Sequence, residues 1–198
     1  MELIQSIDFQ ILDFLQEHVR NAFLDPIMAG LSYMGEAGAC WILIGIILLF
    51  FRRTRAAGAC LLTALALGYL VGDICIKNLV ARHRPFMINT GVDLAVHAPT
   101  SHSFPSGHST AAFASATSLI IMLRDKKWIG FSALALAVLI AFSRLYNYVH
   151  FPSDVLFGML LGTVCGLVVA LIFKKTGLEK RLSGDLKYKS EEREKKGN

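Results

Sequence analysis

The feature that most constrains the fold of this chain is a series of apolar runs, each close to the length needed to cross a lipid bilayer. A transmembrane α-helix needs roughly 20 mostly apolar residues. Four runs approach or reach that length, at 56–76, 109–123, 128–142 and 155–173, and a fifth covers about 32–51. The second and third are short and are expected to include flanking residues. The sequence therefore predicts an all-α, polytopic membrane helical bundle of five or six transmembrane helices.

Composition separates this chain from soluble and disordered proteins. Apolar residues make up 54% and charged residues 18% of the chain, whereas a soluble domain averages about 45–50% and about 25%. Intrinsic disorder requires low hydrophobicity and is excluded over most of the length. The four cysteines lie in apolar stretches without CxxC spacing, so we interpret them as small hydrophobic residues inside helices.

The first twenty residues have a different pattern, in which apolar side chains fall roughly on one face of a helix. Asp8, Asp13 and Glu17 lie elsewhere on that helix, and full exposure of these acids to lipid would be unfavourable. We therefore predict an N-terminal amphipathic helix that lies at the membrane interface or packs on the bundle. The alternative is a tilted sixth span. The apolar face consists of Leu3, Ile4, Ile7, Ile11, Phe14, Leu15 and Val19.

The formal net charge of +5 is concentrated at the C-terminal end. Residues 174–198 contain nine Lys or Arg and five Asp or Glu, whereas residues 1–173 are nearly neutral. This distribution argues against a uniformly basic nucleic-acid-binding protein, and no nucleic acid partner is expected. The sequence predicts a membrane-embedded domain at 1–173, followed by a basic, charged cytoplasmic tail at 174–198 near anionic headgroups.

Short basic connectors predict the orientation of the bundle. Clusters of Lys and Arg lie at 52–55, 124–127 and 174–175, and all three fall on one side if the spans alternate. The positive-inside rule makes that side cytoplasmic. The segments 77–108 and 143–154 then belong to the opposite side, and they hold most of the unusual polar residues.

These opposite-side segments contain a consistent set of groups for binding a phosphate. Lys77, Arg84 and Arg144 are three cations at one membrane face; arginine binds phosphate oxygens bidentately and lysine supplies a point charge. Ser106 and Gly107 precede the apolar run, where glycine permits close backbone approach and a helix start offers free N–H groups to an anion. Such donors can stabilise the charge on a five-coordinate phosphorus.

Two histidines in these segments have different surroundings. His150 is followed four residues later by Asp154, and a carboxylate beside an imidazole fixes its tautomer and stabilises positive charge on it. A neutral, oriented imidazole is a competent nucleophile. His108 has no acid nearby in sequence, and at a helix start it could give a proton to a departing alkoxide.

Three patterns occur in order along the chain: KxxxxxxRP from Lys77, PSGH from Pro105 and SRxxxxxHxxxD from Ser143. Together they resemble the signature of the type 2 phosphatidic acid phosphatase family, which includes lipid pyrophosphate phosphatases, glucose-6-phosphatases and vanadium haloperoxidases. The signature covers residues 77–154, and the pattern of spans extends the resemblance over most of the chain. The large soluble architecture of the haloperoxidases is missing, which disfavours that activity.

The resemblance implies a role for each residue of the signature. His150 is expected to attack phosphorus and form a phosphohistidine, with Asp154 orienting it. His108 is expected to protonate the leaving oxygen and to return as base when water hydrolyses the intermediate. No metal and no other cofactor is implied. The residues expected to hold the phosphoryl oxygens are Lys77, Arg84, Ser106, Gly107 and Arg144.

The resemblance also implies a substrate class and a location. The expected substrate is a membrane lipid phosphomonoester or pyrophosphate, with undecaprenyl pyrophosphate and phosphatidylglycerol phosphate as leading candidates and phosphatidic acid next. Small bacterial members are similar in length, which predicts a multi-pass protein of the bacterial inner membrane with its active site on the extracytoplasmic face. The alternative is a lipid-binding or lipid-transport protein that keeps a phosphate pocket without turnover, although such a protein needs no nucleophile with an orienting acid. A soluble-sugar phosphatase is a third possibility.

Some polar residues of these segments have alternative interpretations. Asp73 lies one turn before Lys77, and we interpret it as the structural partner of that lysine, with a phosphate-site role as the alternative. The loop at 86–103 is either a lip over the site or a disordered connector. A metal site is also conceivable, although the spacing of its candidate ligands lacks a recognised pattern. Those candidates are His83, His97, His102 and His108.

Overall fold

The computed structural model describes residues 2–183, and that part of the chain is helical with no β-strand. The prediction of an all-α protein is confirmed for these residues. Two of the helices continue into π-helical turns, at Leu15–Val19 and Leu70–Ile76. The α-helices are α1 (Glu2–Phe14), α2 (Leu24–Met34), α3 (Ala39–Phe50), α4 (Arg55–Tyr69), α5 (Lys77–Val80), α6 (Pro85–Ile88), α7 (Gly107–Met122), α8 (Lys127–Tyr146), α9 (Pro152–Lys175) and α10 (Leu178–Ser183).

Within the described residues, three helical stretches are long and apolar enough to cross a membrane, Arg55–Ile88, Arg124–Tyr146 and Pro152–Lys175. A bent pair, Leu24–Met34 with Glu36–Phe50, adds a fourth crossing if it counts as one span. The bend of 50° falls where Ala37 and Gly38 adopt left-handed backbone conformations, which interrupt the regular helix. The apolar run predicted at 32–51 is therefore broken near its start.

Helix α7 forms the centre of the bundle and packs against α4, α8 and α9. Small buried side chains such as Ala112, Ala114 and Ser118 line much of its surface. Its closest approach is to α9, where an added Cβ on Gly162 would overlap the carbonyl oxygen of Thr110 and one on Gly158 would lie 2.7 Å from that of Ser106. Gly158, Gly162 and Gly166 lie four residues apart and form a glycine stripe on the face of α9 that meets α7. Small residues at this spacing allow two membrane helices to approach closely.

The packing of α7 on α9 brings two of the three signature patterns together. Helix α7 begins at Gly107, the glycine of the PSGH pattern, and α9 begins with Pro152 in its first turn, a position that proline favours. The backbone N–H of Ser106 donates to the carbonyl oxygen of Asp154 at 3.1 Å. The starts of the two helices therefore lie side by side at one end of the bundle.

Helix α1 packs with Asp8 and Asp13 toward the protein, whereas Glu17, in the π-helical turn that follows, is exposed. Asp8 is buried, with 3% of its surface exposed, and Leu12 is fully buried. Ile4, Ile7 and Ile11 of the predicted apolar face are exposed on the outer surface. An amphipathic helix on a soluble protein buries its apolar face, whereas α1 exposes these isoleucines and buries Asp8. Asp8 can be buried because it has polar partners inside the bundle, described below.

The region predicted as a tail begins as helix. Helix α9 ends at Lys175, and α10 follows, with Leu178 and Leu182 packed against the core. The rest of the predicted tail, residues 184–198, lies outside the described residues.

Candidate active site

A cavity of about 820 Å³ contains both candidate catalytic histidines. His108 is the second residue of α7, and His150 lies in the segment between α8 and α9. Lys77, Gly107 and Arg144 also line this cavity. Residues that lie far apart in sequence therefore share one polar space at the end of the bundle where α7 and α9 begin.

The imidazole of His150 is buried and held in one tautomer. Arg84 Nη1 donates to its Nε2 at 3.1 Å, which requires that Nε2 carries no proton. The proton then resides on Nδ1, 3.6 Å from Oδ2 of Asp154. Burial, together with the cations Arg84, Arg144 and Lys77, lowers the pKa of His150 well below its usual range. The group is therefore a neutral imidazole with its lone pair on Nε2.

Asp154 is fully buried and has three hydrogen-bond donors. The backbone N–H of Phe151 donates to Oδ2 at 2.9 Å, the hydroxyl of Ser103 donates to the same oxygen, and Arg82 Nη1 donates to Oδ1. Sequence reasoning singled out Asp154 but missed Ser103 and Arg82. The position of Arg82, two residues before Arg84, was the one signal available for it.

Arg84 is buried and joins the loop before α7 to the segment after α8. Its guanidinium donates to the carbonyl oxygens of Ser101 at 2.7 Å and Val149 at 2.8 Å. These bonds hold Arg84 beside His150, although Arg84 itself does not line the cavity. Arg84 therefore links two segments of the site and also contacts Nε2 of His150.

Arg144, on the last turn of α8, is buried with one donor unpaired. Its Nη1 donates to the hydroxyl of Ser32 on α2, whereas its Nε has no hydrogen-bond partner among the described residues. A buried guanidinium donor without a partner is unusual in folded proteins. Arg144 also lines the polar cavity, where its positive charge fits an anionic ligand.

Ser32 of α2 also contacts His108, so that this one residue contacts two candidate site residues, Arg144 and His108. The backbone carbonyl of Ser32 lies 3.1 Å from Nε2 of His108 and can accept its N–H. An added Cβ on Gly35 would lie 2.9 Å from Cδ2 of His108, so the end of α2 packs directly on the ring. Nothing in the sequence pattern around Ser32 indicated this role.

The remaining phosphate candidates are Lys77, Ser106 and Gly107. Lys77 is paired with Asp73, as the i, i+4 spacing predicted. An added Cβ on Gly107 would lie 2.8 Å from Oδ1 of Asp73, so glycine is needed for this approach. The hydroxyl of Ser106 is buried and caps α7 by accepting the N–H of Ser109 at 3.4 Å.

Part of the 86–103 loop lies over the cavity, as expected for a lip. Residues 96–101 line it, and the N–H of His97 donates to the hydroxyl of Tyr33 at 3.3 Å. The loop histidines do not assemble with other ligands: among residues 2–183, no three His, Cys, Asp or Glu side chains form a group that could hold a metal ion.

The opposite flank of the cavity is apolar and is built by α3 and α4. Ile42, Leu62, Leu65 and Tyr69 line it, and Tyr69 is 61% exposed on the outer surface. The cavity is therefore polar where the histidines lie and apolar toward the outside of the bundle.

Comparisons with known proteins agree with this arrangement. Residues 57–178 match the PAP2 superfamily. An undecaprenyl-diphosphatase from Sulfolobus acidocaldarius is 33% identical over 92% of this chain and 87% of its own. Phosphatidylglycerophosphatase B from Bacillus subtilis is 32% identical over 76% of each chain. A crystal structure of a transmembrane PAP2 type phosphatidylglycerolphosphate phosphatase from Bacillus subtilis superposes with a TM-score of 0.72, at 29% identity, and covers 88% of both chains.

Proposed function

Since this chain belongs to the PAP2 superfamily, we propose that it hydrolyses a phosphomonoester or pyrophosphate on a membrane lipid through a phosphohistidine at His150. Its relatives are named as phosphatases, and the reaction class is hydrolysis of phosphoric esters or anhydrides. The observation that carries the proposal is the shared cavity, in which His150 and His108 face a polar space lined by Lys77 and Arg144.

In the first step, the Nε2 lone pair of His150 attacks phosphorus while the bond from phosphorus to the leaving oxygen breaks. His108 donates a proton to that oxygen. The imidazole gains positive charge as the P–N bond forms, and Asp154, 3.6 Å from Nδ1, stabilises it. Arg84 must release Nε2 for this attack, and its Nη1 then becomes available to a phosphoryl oxygen.

In the second step, water attacks the phosphohistidine. His108 accepts a proton from the water, the P–N bond breaks, and its electrons return to Nε2. Inorganic phosphate leaves, or a phosphate monoester if the phosphoryl group carries a further substituent. The site then regains its neutral His150, whose lowered pKa favours that form.

The phosphoryl oxygens would be held by Lys77, Arg84 and Arg144, of which Lys77 and Arg144 line the cavity. The free backbone N–H groups at the start of α7, beside Ser106 and Gly107, add donors where charge develops. Ser106 is fully buried and does not line the cavity, so its role would be to cap α7 and keep these N–H groups in place. All five residues of the predicted phosphate site keep a role in this scheme.

A lipid substrate is supported by the apolar flank of the cavity. Tyr69 and Leu62 lie where an acyl or prenyl chain would leave the polar end of the site, and burial of apolar chain against such side chains is favourable. Undecaprenyl pyrophosphate and phosphatidylglycerol phosphate are the proposed substrates, because relatives over most of the chain are named for these reactions. None of the relatives reported above supports the lipid-transport alternative.

The topology that we propose has five or six spans, with the active site on the extracytoplasmic face of the cell membrane. The basic connectors at 52–55 and 124–127 lie at the opposite ends of α4 and α8 from the site, and the positive-inside rule supports a cytoplasmic location for them. The apolar outer face of α1 would contact lipid as an amphipathic or tilted helix. Residues 1–173 then form the membrane-embedded domain, and 174–198 the cytoplasmic tail.

A substrate panel tests this function directly. Purified protein in detergent is offered several lipid phosphates and pyrophosphates beside a His150→Ala variant, and released phosphate is measured. We expect release from the wild type, with the best lipid identifying the substrate, and loss of release in His150→Ala. His83→Ala is the matched control, because His83 is an exposed histidine near the site. Equal release from the wild type and His150→Ala would overturn the assignment.

A further inference from the structure

A chain of three charged residues, with buried carboxylates at its two ends and a partly exposed arginine between them, connects helix α1 to the candidate active site. Arg82 Nη2 donates to Oδ2 of Asp8 at 2.8 Å, and its Nη1 donates to Oδ1 of Asp154. The side chain of Asp8 is 4% exposed, that of Arg82 21% and that of Asp154 0%. One guanidinium therefore lies between two carboxylates, one of which faces the proposed nucleophile.

Further contacts fix this chain at the start of α9. The backbone N–H of Ser153 donates to Oδ1 of Asp8 at 2.9 Å, and the Ser153 hydroxyl donates to Oδ2. The guanidinium carbon of Arg82 lies 4.0 Å from the ring centroid of Phe151, which is the geometry of a cation–π contact. Asp8 thus holds both the cation and the turn that carries Asp154.

We propose that Asp8 and Arg82 are positioning residues that set the orientation of Asp154 and the negative charge it presents to His150. This inference rests on the proposed function, because it concerns the same reaction. Helix α1 would then contribute Asp8 to the support of the active site, in addition to contacting the membrane.

The two residues have opposite electrostatic effects on Asp154. Arg82 bonds Oδ1 and so offsets part of the charge with which Asp154 supports an imidazolium at His150. Asp8 offsets the charge of Arg82 in turn. Loss of Arg82 therefore strengthens the field of Asp154 at His150, whereas loss of the Asp8 charge weakens it. Substitutions that only destabilised the fold would not shift the pH dependence of activity in opposite directions.

The other charged and titratable groups facing His150 stay the same in these variants, so that a difference between the variants reports on the Asp8–Arg82 chain. These groups come from four parts of the fold: α5, the segment between α5 and α6, the start of α7 and the end of α8. They are Lys77, Arg84, His108 and Arg144, with Asp154 itself.

The test compares Arg82→Gln and Asp8→Asn by the pH dependence of kcat/KM for a lipid phosphate. We expect the acid limb to move to higher pH in Arg82→Gln and to lower pH in Asp8→Asn. We expect kcat to fall by up to about 100-fold in both, because small displacements of a catalytic group have effects of that size, while KM changes much less. Arg82→Lys, which keeps the charge, is expected to restore the position of the acid limb.

Asp13→Asn is the matched control on the same helix. Asp13 accepts from the hydroxyl of Tyr148 at 2.8 Å and has no place in the Asp8–Arg82–Asp154 chain. We expect it to lower the melting temperature without moving the acid limb. Acid limbs of Arg82→Gln and Asp8→Asn that coincide with that of the wild type would overturn the inference. If Arg82→Gln does not fold, an unchanged limb in Asp8→Asn overturns it alone.

His150→Ala in the same assay separates this inference from the proposed function. If His150→Ala is inactive while both positioning variants behave like Asp13→Asn, the function stands and the inference fails. If His150→Ala still releases phosphate, the proposed function fails first.

Discussion

Arg84 Nη1 lies 3.1 Å from Nε2 of His150 and so contacts the nitrogen that we expect to attack phosphorus. The same guanidinium is anchored by the carbonyl oxygens of Ser101 and Val149. Arg84 can therefore exchange one bond for a phosphoryl oxygen while the others keep it in place. A phosphate that reaches His150 would find this guanidinium beside the nitrogen that we expect to attack.

The first prediction is that Arg84→Lys lowers kcat/KM by on the order of 10- to 100-fold, since hydrogen bonds to charged groups contribute about 1.5–3 kcal/mol. A lysine keeps the charge but lacks the planar guanidinium that donates to Ser101, Val149 and His150 at the same time. Phosphate release and melting temperature are measured on the same preparation. Arg52→Lys, an exposed arginine on the other side of the bundle, is the control. Equal turnover in both variants would show that the guanidinium of Arg84 is not needed for activity.

The second prediction concerns stability at acidic pH. The folded-state pKa of His150 lies well below the ordinary value of 6.5, so below that pH the unfolded chain binds a proton that the folded protein does not. The stability contributed by neutral His150 is therefore present above about pH 6.5 and is lost as pH falls toward the folded pKa. Melting temperatures of the wild type and His150→Gln are compared across this window, and we expect a flatter profile for the variant. Parallel profiles would contradict the burial of a neutral imidazole.

The sequence was sufficient to identify the residues whose spacing within a short segment carries their chemistry. His150 and Asp154 lie four residues apart, and the structure places Asp154 3.6 Å from His150, which lines one cavity with His108. Ser32 and Asp8 could not be found in this way, because their roles depend on which helix packs beside the site. Ser32 bonds Arg144 across 112 positions, and Asp8 bonds Arg82 across 74. The local sequence pattern contains no information about which distant residues pair in the folded protein.

The orientation of α1 was difficult to predict for a related physical reason. Its periodicity defines an apolar face with Ile4, Ile7 and Ile11, but periodicity does not tell whether that face meets protein or lipid. In a membrane the apolar face can point outward, because lipid is as apolar as a protein core. The buried positions Asp8 and Leu12 follow from the polar partners of Asp8 inside the bundle.

The third prediction is that vanadate inhibits competitively with the lipid substrate, because it resembles five-coordinate phosphorus and transition-state analogues bind tightly. Arg144→Ala is expected to weaken this inhibition, since it removes the buried guanidinium whose Nε is unpaired among the described residues. Initial rates over a matrix of vanadate and substrate concentrations provide the measurement. Inhibition that does not depend on substrate concentration would count against the cavity as the phosphate site.

The fourth prediction assigns Asp73 a mainly structural role. Asp73 pairs with Lys77 and lies against Gly107, so Asp73→Asn leaves a buried ammonium without its counter-ion. We expect the melting temperature to fall more clearly than the affinity for vanadate, because removal of one partner of a buried pair is destabilising. The two quantities are measured on one preparation. An unchanged melting temperature with weakened vanadate inhibition would assign Asp73 to the phosphate site instead.

The fifth prediction concerns the glycine stripe that holds α7 against α9. An added Cβ at Gly162 would overlap the carbonyl oxygen of Thr110, and overpacking of this kind destabilises by about 1–3 kcal/mol. Gly162→Ala is therefore expected to lower the melting temperature. It is also expected to reduce turnover, because His108 and Asp154 lie at the starts of the two helices it forces apart. Gly30→Ala is the control, since no described atom lies within 4 Å of a Cβ there. Equal melting temperatures for the two variants would mean that close contact between α7 and α9 does not limit stability.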